Sequence, residues 1–428
     1  MPTATTDYAG DESLPPKLSE LRQKLYRKAK MEPRFRFYAL YDRIYRLDVL
    51  RAAFNKVAEN DGAPGVDGMH VSDVQAREGG VEAYLEEIHQ ALKTKSYKPE
   101  AVRRCYIPKP DGRERPLGIP TIQDRVVQTA AQLILEPIFE ADFKECSFGF
   151  RPGRGAHDAI REVSAALQAG RTAVVDADLQ SYFDSIPHDK LMKCVENRIA
   201  DRSVLHLIRM WLEAPIEEPR DPTGGKPTRH RPTSGTPQGG VISPLLANLY
   251  LHWLDVPFGG PDGPGTFANA KLVRYADDFV ILARYVKGRI TDWTTHWVEG
   301  RMGLKINSTK TRTLHVDVDG DRLDFLGFSI QWYRRRLGGQ PYLHVGPSPK
   351  ALKRAFARIR EMTDRKLGLI PIERVIGRLN LYLRGWSTYF LLGRPAGAFS
   401  KVNAFALHRV IRHLMRRSQR PYKPPKAR

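Results

Sequence analysis

Three aspartates and a set of basic residues are what this chain offers for chemistry. Asp277 and Asp278 are adjacent, and apolar runs on either side, Leu272 to Tyr275 and Phe279 to Ala283, make them the turn of a β-hairpin. Two carboxylates at one tip repel each other unless a cation lies between them, and Mg²⁺, which favours hard oxygen ligands, suits that place. Ordinary turn chemistry is the competing explanation, because aspartate caps its own backbone. Asp178 shifts the balance. It closes a short apolar strand 99 residues before Asp277, so the three carboxylates converge if the two strands are neighbours. Such a cluster can hold two Mg²⁺ ions about 3.5–4 Å apart, one activating an attacking hydroxyl and the other stabilising a leaving pyrophosphate. That transfer needs no protein nucleophile, and the sequence offers no convincing Ser-His-Asp or Cys-His set.

Cations occur where a polyphosphate would need them. Val102 to Pro120 reads as a hairpin with its turn at Lys109-Pro110-Asp111-Gly112, which places Lys109, Arg113 and Arg115 within reach of a triphosphate or on a solvated basic face. A second basic loop, Ser147 to Gly155, carries Arg151 and Arg154 and precedes a helix from Ala156. It is read either as a cradle for the phosphate of a template strand or as a structural turn. In Ser234 to Pro244, glycines permit close backbone approach to a flat ligand and Gln238 can donate hydrogen bonds.

Other elements must position these residues. Helical patterns cover Leu18 to Tyr45 (core candidates Leu21, Leu25, Phe35 and Tyr38), Val81 to Thr94, Gln123 to Glu136 with Pro137 limiting it, Leu245 to Trp253 and Ile290 to Arg301. Asp61 to Gly68 and Arg220 to Pro237 read as loops. Thr313 to Val318 and Leu323 to Ile330 read as a strand pair turning at Asp317 to Asp321, a run that lacks the glycine and glutamate of a calcium loop. From Ser348 onward the pattern is helical and basic, broken at Gly393 to Gly397.

Composition bounds the partner. The 428 residues carry a net charge of +21 with a pI near 9.9, and +17 of that charge lies in the last 79 residues. One-sided charge of this size points to nucleic acid rather than to an anionic membrane surface. Three cysteines without CxxC spacing argue against a disulfide framework or a zinc site and fit a reducing compartment. No signal peptide and no apolar run of membrane-spanning length is evident, so a cytoplasmic, bacterial, nucleoid-associated protein is expected, with no membrane partner.

Six blocks in order give a resemblance. Tyr275 to Asp278, Asp178 to Phe183, Ser234 to Pro244, Ile107 to Pro120, Leu323 to Phe328 and Arg384 to Phe390 resemble the motifs of reverse transcriptases encoded by bacterial group II introns, which are also splicing maturases. The resemblance implies an α+β right-hand polymerase, with fingers and an antiparallel palm sheet followed by an α-helical basic thumb. Its implied domains are a basic helical extension over 1–75, fingers and palm over 76–340, and a thumb/maturase domain with a basic DNA-binding tail over 341–428. It implies that Asp178, Asp277 and Asp278 bind two Mg²⁺ ions. Lys109 and Arg115 would contact nucleotide phosphates, Gln238 and Gly239 would line the incoming dNTP, and Phe183 would exclude a 2′-hydroxyl. Lys310 would protonate pyrophosphate. Arg151 and Arg154, with Arg378 and Arg384, would contact RNA, while Trp386, Tyr389 and Phe390 would pack the core. Implied partners are group II intron RNA, an RNA template, a DNA primer, dNTPs and target DNA. Relatives that carry an HNH endonuclease have His and Cys pairs that do not occur before Arg428, so an endonuclease-lacking type is expected. A splicing-only maturase and an antiviral or CRISPR-associated reverse transcriptase on the same scaffold are the alternatives.

Overall fold

The chain forms eleven strands among the described residues, the apolar, β-branched runs at Ala173–Ala177 and Asp278–Ala283 being the most buried of them. They are β1 (Val102–Pro108), β2 (Glu114–Ile119), β3 (Ala173–Ala177), β4 (Ile216–Glu217), β5 (Arg229–His230), β6 (Lys271–Tyr275), β7 (Asp278–Ala283), β8 (Arg312–His315), β9 (Leu323–Phe325), β10 (Phe328–Tyr333) and β11 (Tyr342–Pro347). The structure, a computed structural model, describes residues 8, 13–108, 112, 114–219, 227–286, 288–334 and 338–418. Lys109 and Arg113, singled out in the sequence, lie outside these, as does the tail from 419. The strands form three sheets, ordered β2-β1-β4-β5, β6-β7-β3-β8 and β11-β10-β9.

The chain divides into two compact units, one of Met1–Gly155, Ala177–Phe279 and Lys287–Thr311, the other of Ala156–Asp176, Val280–Val286 and Arg312–Arg428. In the first, the helix Ile122–Glu140 is buried along most of its length. The helix runs through Pro137, where the sequence pattern predicts a stop. Proline's missing N–H orphans the carbonyl four residues back, and here Arg22 Nη1 donates to that Leu133 carbonyl at 2.5 Å. Arg22 Nη2 also pairs with Glu136 Oε2 at 2.6 Å, so one buried guanidinium stabilises the interrupted helix.

Other expectations change for local reasons. The stretch predicted as one helix from Leu18 to Tyr45 breaks after Pro16–Met31, because Phe37 pairs with the strand-like Ile199 and is buried, leaving Tyr38 73% exposed. The loop expected from Arg220 to Pro237 contains β5, which pairs with β4. β8 does not pair with β9. It lies antiparallel to β3, with Val174 opposite Leu314 and Asp176 opposite Arg312. β9 instead turns into β10 at Leu326 and Gly327, both left-handed (φ 50° and 81°), a tight hairpin that claims its hydrogen bonds. In the second unit, Ile359, Leu379, Val402 and Ala406 form a core on which Trp386 and Phe405 pack. Among the described residues, no helix is long and apolar enough to cross a membrane.

A half-buried histidine sets an acid limit on the first unit. His252 stands edge-on to Phe143, with ring centroids 5.6 Å apart, and its Nδ1 has no hydrogen-bond partner. Burial pushes its pKa from 6.5 down to about 4. A depressed histidine contributes stability that is present above pH 6.5 and lost as pH falls towards 4, since the unfolded chain takes the proton first. Between pH 7 and pH 4.5 the wild type is expected to lose about 2 kcal/mol more than His252→Leu, measured by urea denaturation at each pH.

Candidate active site

The hairpin tip is built on a left-handed residue. Ala276 (φ 54°) turns the chain between β6 and β7, Asp277 follows half-buried, and Asp278 opens β7 exposed to solvent. A glycine loop abuts this turn: a Cβ on Gly149 would lie 2.5 Å from the Ala276 nitrogen, so no larger residue fits.

Asp178 leaves β3 and is held by the segment at 305–311. Its backbone N–H donates to Thr311 Oγ1 (3.3 Å), its carbonyl accepts from Asn307 N (2.8 Å), and its Oδ2 accepts from Asn307 Nδ2 (2.9 Å) and Lys310 Nζ (3.0 Å). Burial raises the Asp277 carboxyl above the usual aspartate range, and the neighbouring Asp178 charge adds to the rise. The Asp277 backbone N–H, Arg115 and Lys310 oppose it. Thus Asp178, Asp277, Arg115 and Lys310 share one electrostatic neighbourhood. Among the described residues, no group of three His, Cys, Asp or Glu side chains stands together as a ready ligand set. Asp178 and Asp277, with Asp278 beside them in sequence, are the hard-oxygen donors that could hold a cation.

The predicted nucleotide residues come from two elements that meet. Gly118 N on β2 donates to the Gln238 carbonyl at 2.6 Å. Gly239 has φ 112°, and a Cβ there would lie 2.5 Å from the Gly118 oxygen, so glycine is required twice over. Gln238 Oε1 is buried without a partner, an acceptor left open for a donor. Behind Gly239 is a cleft of about 540 Å³ that Lys56, Gly118 and Arg125 also line. Phe183 sits half-buried in the short helix Tyr182–Ser185, edge-on to Tyr182, and its carbonyl accepts from Thr236 N at 2.7 Å, which ties it to the glycine-rich segment. Arg115 is exposed on β2 opposite Ile107.

The predicted RNA contacts separate. Arg151 is not a surface cation. Its side chain is 2% exposed, and it donates to Glu140 Oε1 (2.6 Å) and to the carbonyls of Lys144 (2.6 Å) and Ser147 (2.7 Å). It braces the loop. Arg154 is likewise engaged, in an ion pair with Glu145 and over the Phe148 ring at 5.6 Å. Arg378 and Arg384 are exposed on the helix Ile372–Tyr389. Trp386 packs on Phe390 (5.0 Å) and Phe399 (5.7 Å), as its helical spacing predicts. Sequence reasoning overlooked Asn307, Thr311 and the buried Arg274 two residues before Ala276. The apolar run Leu272 to Tyr275 interrupted by one arginine was the available signal for the last.

Asp178 at the end of β3 and the Asp277–Asp278 turn at the start of the neighbouring β7 thus stand on one sheet, with Lys310 on Asp178. Residues 107–330 match the family model described as reverse transcriptase (RNA-dependent DNA polymerase), and residues 352–428 match the group II intron, maturase-specific domain. The chain is 34% identical over 369 residues to protein YkfC of Escherichia coli (strain K12), covering 78% of this chain and 93% of that one. It is 38% identical over 220 residues to the group II intron-encoded protein LtrA of Lactococcus lactis subsp. cremoris, covering 51% of this chain but only 35% of LtrA. A solved telomerase structure from Candida albicans aligns at 13% identity with a TM-score of 0.43, over 79% of this chain and 65% of that one. The chain belongs to the reverse transcriptase family, as an RNA-directed DNA polymerase with a group II intron maturase domain.

Proposed function

We propose that this chain copies group II intron RNA into DNA, adding dNTPs to a primer 3′-hydroxyl at a site formed by Asp178, Asp277 and Asp278, and that its maturase domain binds the same RNA to assist splicing and insertion into target DNA. The observation that carries the reading is that Asp178 ends β3 and the Asp277–Asp278 turn opens the neighbouring β7, with Lys310 Nζ 3.0 Å from Asp178. Two repelling carboxylates with a lysine ammonium on one of them fit a hard divalent cation, and the three aspartates would hold two Mg²⁺ ions. Those ions would supply activation of the primer hydroxyl and charge stabilisation at the leaving pyrophosphate.

The chain's own residues do the remaining work. Arg115, exposed on β2, and Lys109 bind the triphosphate. Gln238 and Gly239 seat the nucleotide, their backbone held against Gly118 of β2. Phe183 closes the space a 2′-hydroxyl would need. Lys310, 3.0 Å from Asp178, is the proton donor. A place in the bacterial cytoplasm, on nucleic acid, goes with this reading.

Primer extension on an RNA template, with wild type and an Asp277 variant, tests the polymerase reading. Loss of synthesis in the variant supports it, and equal synthesis in both removes it. RNA binding is tested separately. Replacing Arg378 and Arg384 with alanine is expected to weaken intron RNA affinity about 10-fold and to lower the slope of log affinity against log salt by roughly one to two, while synthesis on a short generic template stays within about threefold. Unchanged affinity would move the RNA surface elsewhere.

A further inference from the structure

One charged network in the first unit lies beneath the site and takes no part in the chemistry described so far. Arg274, in β6, is the largest fully buried side chain among the described residues, with 0% exposure. Its guanidinium is held on three sides. Nε donates to Asp255 Oδ1 (2.9 Å) and Nη2 to Asp255 Oδ2 (2.5 Å). Nη1 donates both to Asn248 Oδ1 (2.9 Å) and to the Ala276 carbonyl (3.1 Å). Asp255 and Asn248 both lie on the helix Ser243–Phe258, and Asn248 Nδ2 passes the connection on to the Gly149 carbonyl at 2.7 Å.

The backbone repeats the same linkage. Arg274 N donates to the Cys146 carbonyl (2.7 Å), and Phe148 N donates to the Arg274 carbonyl (2.9 Å), so the loop at 146–149 runs along β6 up to the turn. Stability alone does not account for such an arrangement. A buried ion pair is on average no better than well-packed apolar residues of the same volume. What apolar residues could not do is fix the Ala276 carbonyl. That residue is left-handed without being glycine, a conformation that costs on the order of 1 kcal/mol and persists only where neighbours over-determine it. Its carbonyl belongs to the peptide that enters Asp277, so the direction of that peptide sets where the Asp277 carboxyl lies.

We propose that Arg274 is a positioning residue for Asp277: anchored by Asp255 and Asn248, it locks the Ala276–Asp277 peptide of the hairpin turn and so holds the carboxylate in register with Asp178. Arg274 touches no substrate. It acts through the turn, and Asn248 extends the lock to the glycine loop on the turn's other side. The inference rests on the proposed role of Asp277 as a metal-binding residue.

The test uses the full chain carrying Arg274→Lys, Asn248→Ala or, as reference, Asp277→Asn. A lysine keeps the charge but cannot make the fork to Asp255 and two further bonds at once. Asn248→Ala leaves the Arg274–Asp255 pair intact. Three quantities are read: primer extension per folded molecule, KM for dNTP, and binding of Mn²⁺ alone followed by electron paramagnetic resonance. Expected are falls in kcat of about 100-fold for Arg274→Lys and about 10-fold for Asn248→Ala, with KM for dNTP within about threefold and Mn²⁺ bound about 10-fold more weakly, because a misplacement of roughly 1 Å at a reacting centre costs about that much. If both variants melt at lower temperature but keep wild-type kcat and Mn²⁺ affinity, the network is structural and the proposal is overturned. Should Arg274→Lys not fold, Asn248→Ala decides by the same two readings. Failure of the underlying role gives a different pattern, in which Asp277→Asn itself retains synthesis and Mn²⁺ binding.

Discussion

Asp277→Asn is expected to abolish DNA synthesis, by about 1000-fold or more in kcat, while leaving the fold as stable as the wild type or more so. The two halves of this expectation have separate causes. Asparagine matches aspartate in shape and keeps the turn, but it removes the charge that a divalent cation needs. On stability the sign is opposite. Burial and the Asp178 charge raise the Asp277 pKa, so the carboxylate is the form the fold disfavours. The stability linked to a raised group is fully present below its unfolded pKa and is lost as pH rises through its folded one. At neutral pH the neutral amide therefore escapes a penalty that the wild type bears. Melting curves with primer extension check both halves at once. A variant that loses activity only because it unfolds would contradict the assignment.

Phe183 carries the second large effect. Phe183→Val is expected to admit ribonucleotides, lowering the ratio of kcat/KM for dNTP over rNTP by about 100-fold, with dNTP use itself within about fivefold. An apolar wall discriminates against an added hydroxyl by roughly two orders of magnitude when the wall is close, and by little when it is not. The position is set by its backbone: the Phe183 carbonyl accepts from Thr236 N, two residues before Gln238 in the segment proposed to seat the nucleotide. The side chain is half-buried against Tyr182, whose own hydroxyl is fixed on the Ala247 carbonyl at 2.6 Å. A shorter residue leaves a gap that this rigid neighbour does not fill. Steady-state kinetics with matched dNTP and rNTP pairs on one RNA template give the ratio, and an unchanged ratio would assign the gate to another residue.

Much of the site was legible because strand and turn chemistry are local. The apolar runs around Asp277 and Asp278 specify a hairpin, and the observed β6 and β7 start and stop within a residue of where those runs do. The hairpin of β1 and β2 and the break before the helix at Ala156 were equally readable, because proline and glycine act on their own neighbours. What escaped depends on partners distant in sequence. Pro137 reads as a stop only until Arg22 takes up the orphaned Leu133 carbonyl. Arg151 reads as a cation for a phosphate until Glu140 and two carbonyls saturate its donors. β8 reads as the partner of β9 until the edge of β3 competes for it. Arg274 is the sharpest case, since nothing beside it in the chain indicates that Asp255 and Asn248 will surround it.

The pairing of β3 with β8 has a consequence for how the molecule is made. Asp176 leaves the ribosome more than a hundred residues before Arg312, its partner across that pair. At about 5–20 residues per second, β3 waits on the order of ten seconds for β8, and until β7 emerges its other edge is unclaimed too. The segment Ala156–Asp176 packs with residues from 312 onward, so a nascent chain cannot complete its second unit until those later residues have emerged. An unsatisfied apolar strand held open for that time is a template for aggregation. Slow translation between these points therefore lengthens the exposure, and expression hosts that shield nascent strands with chaperones should give the better yield of native enzyme.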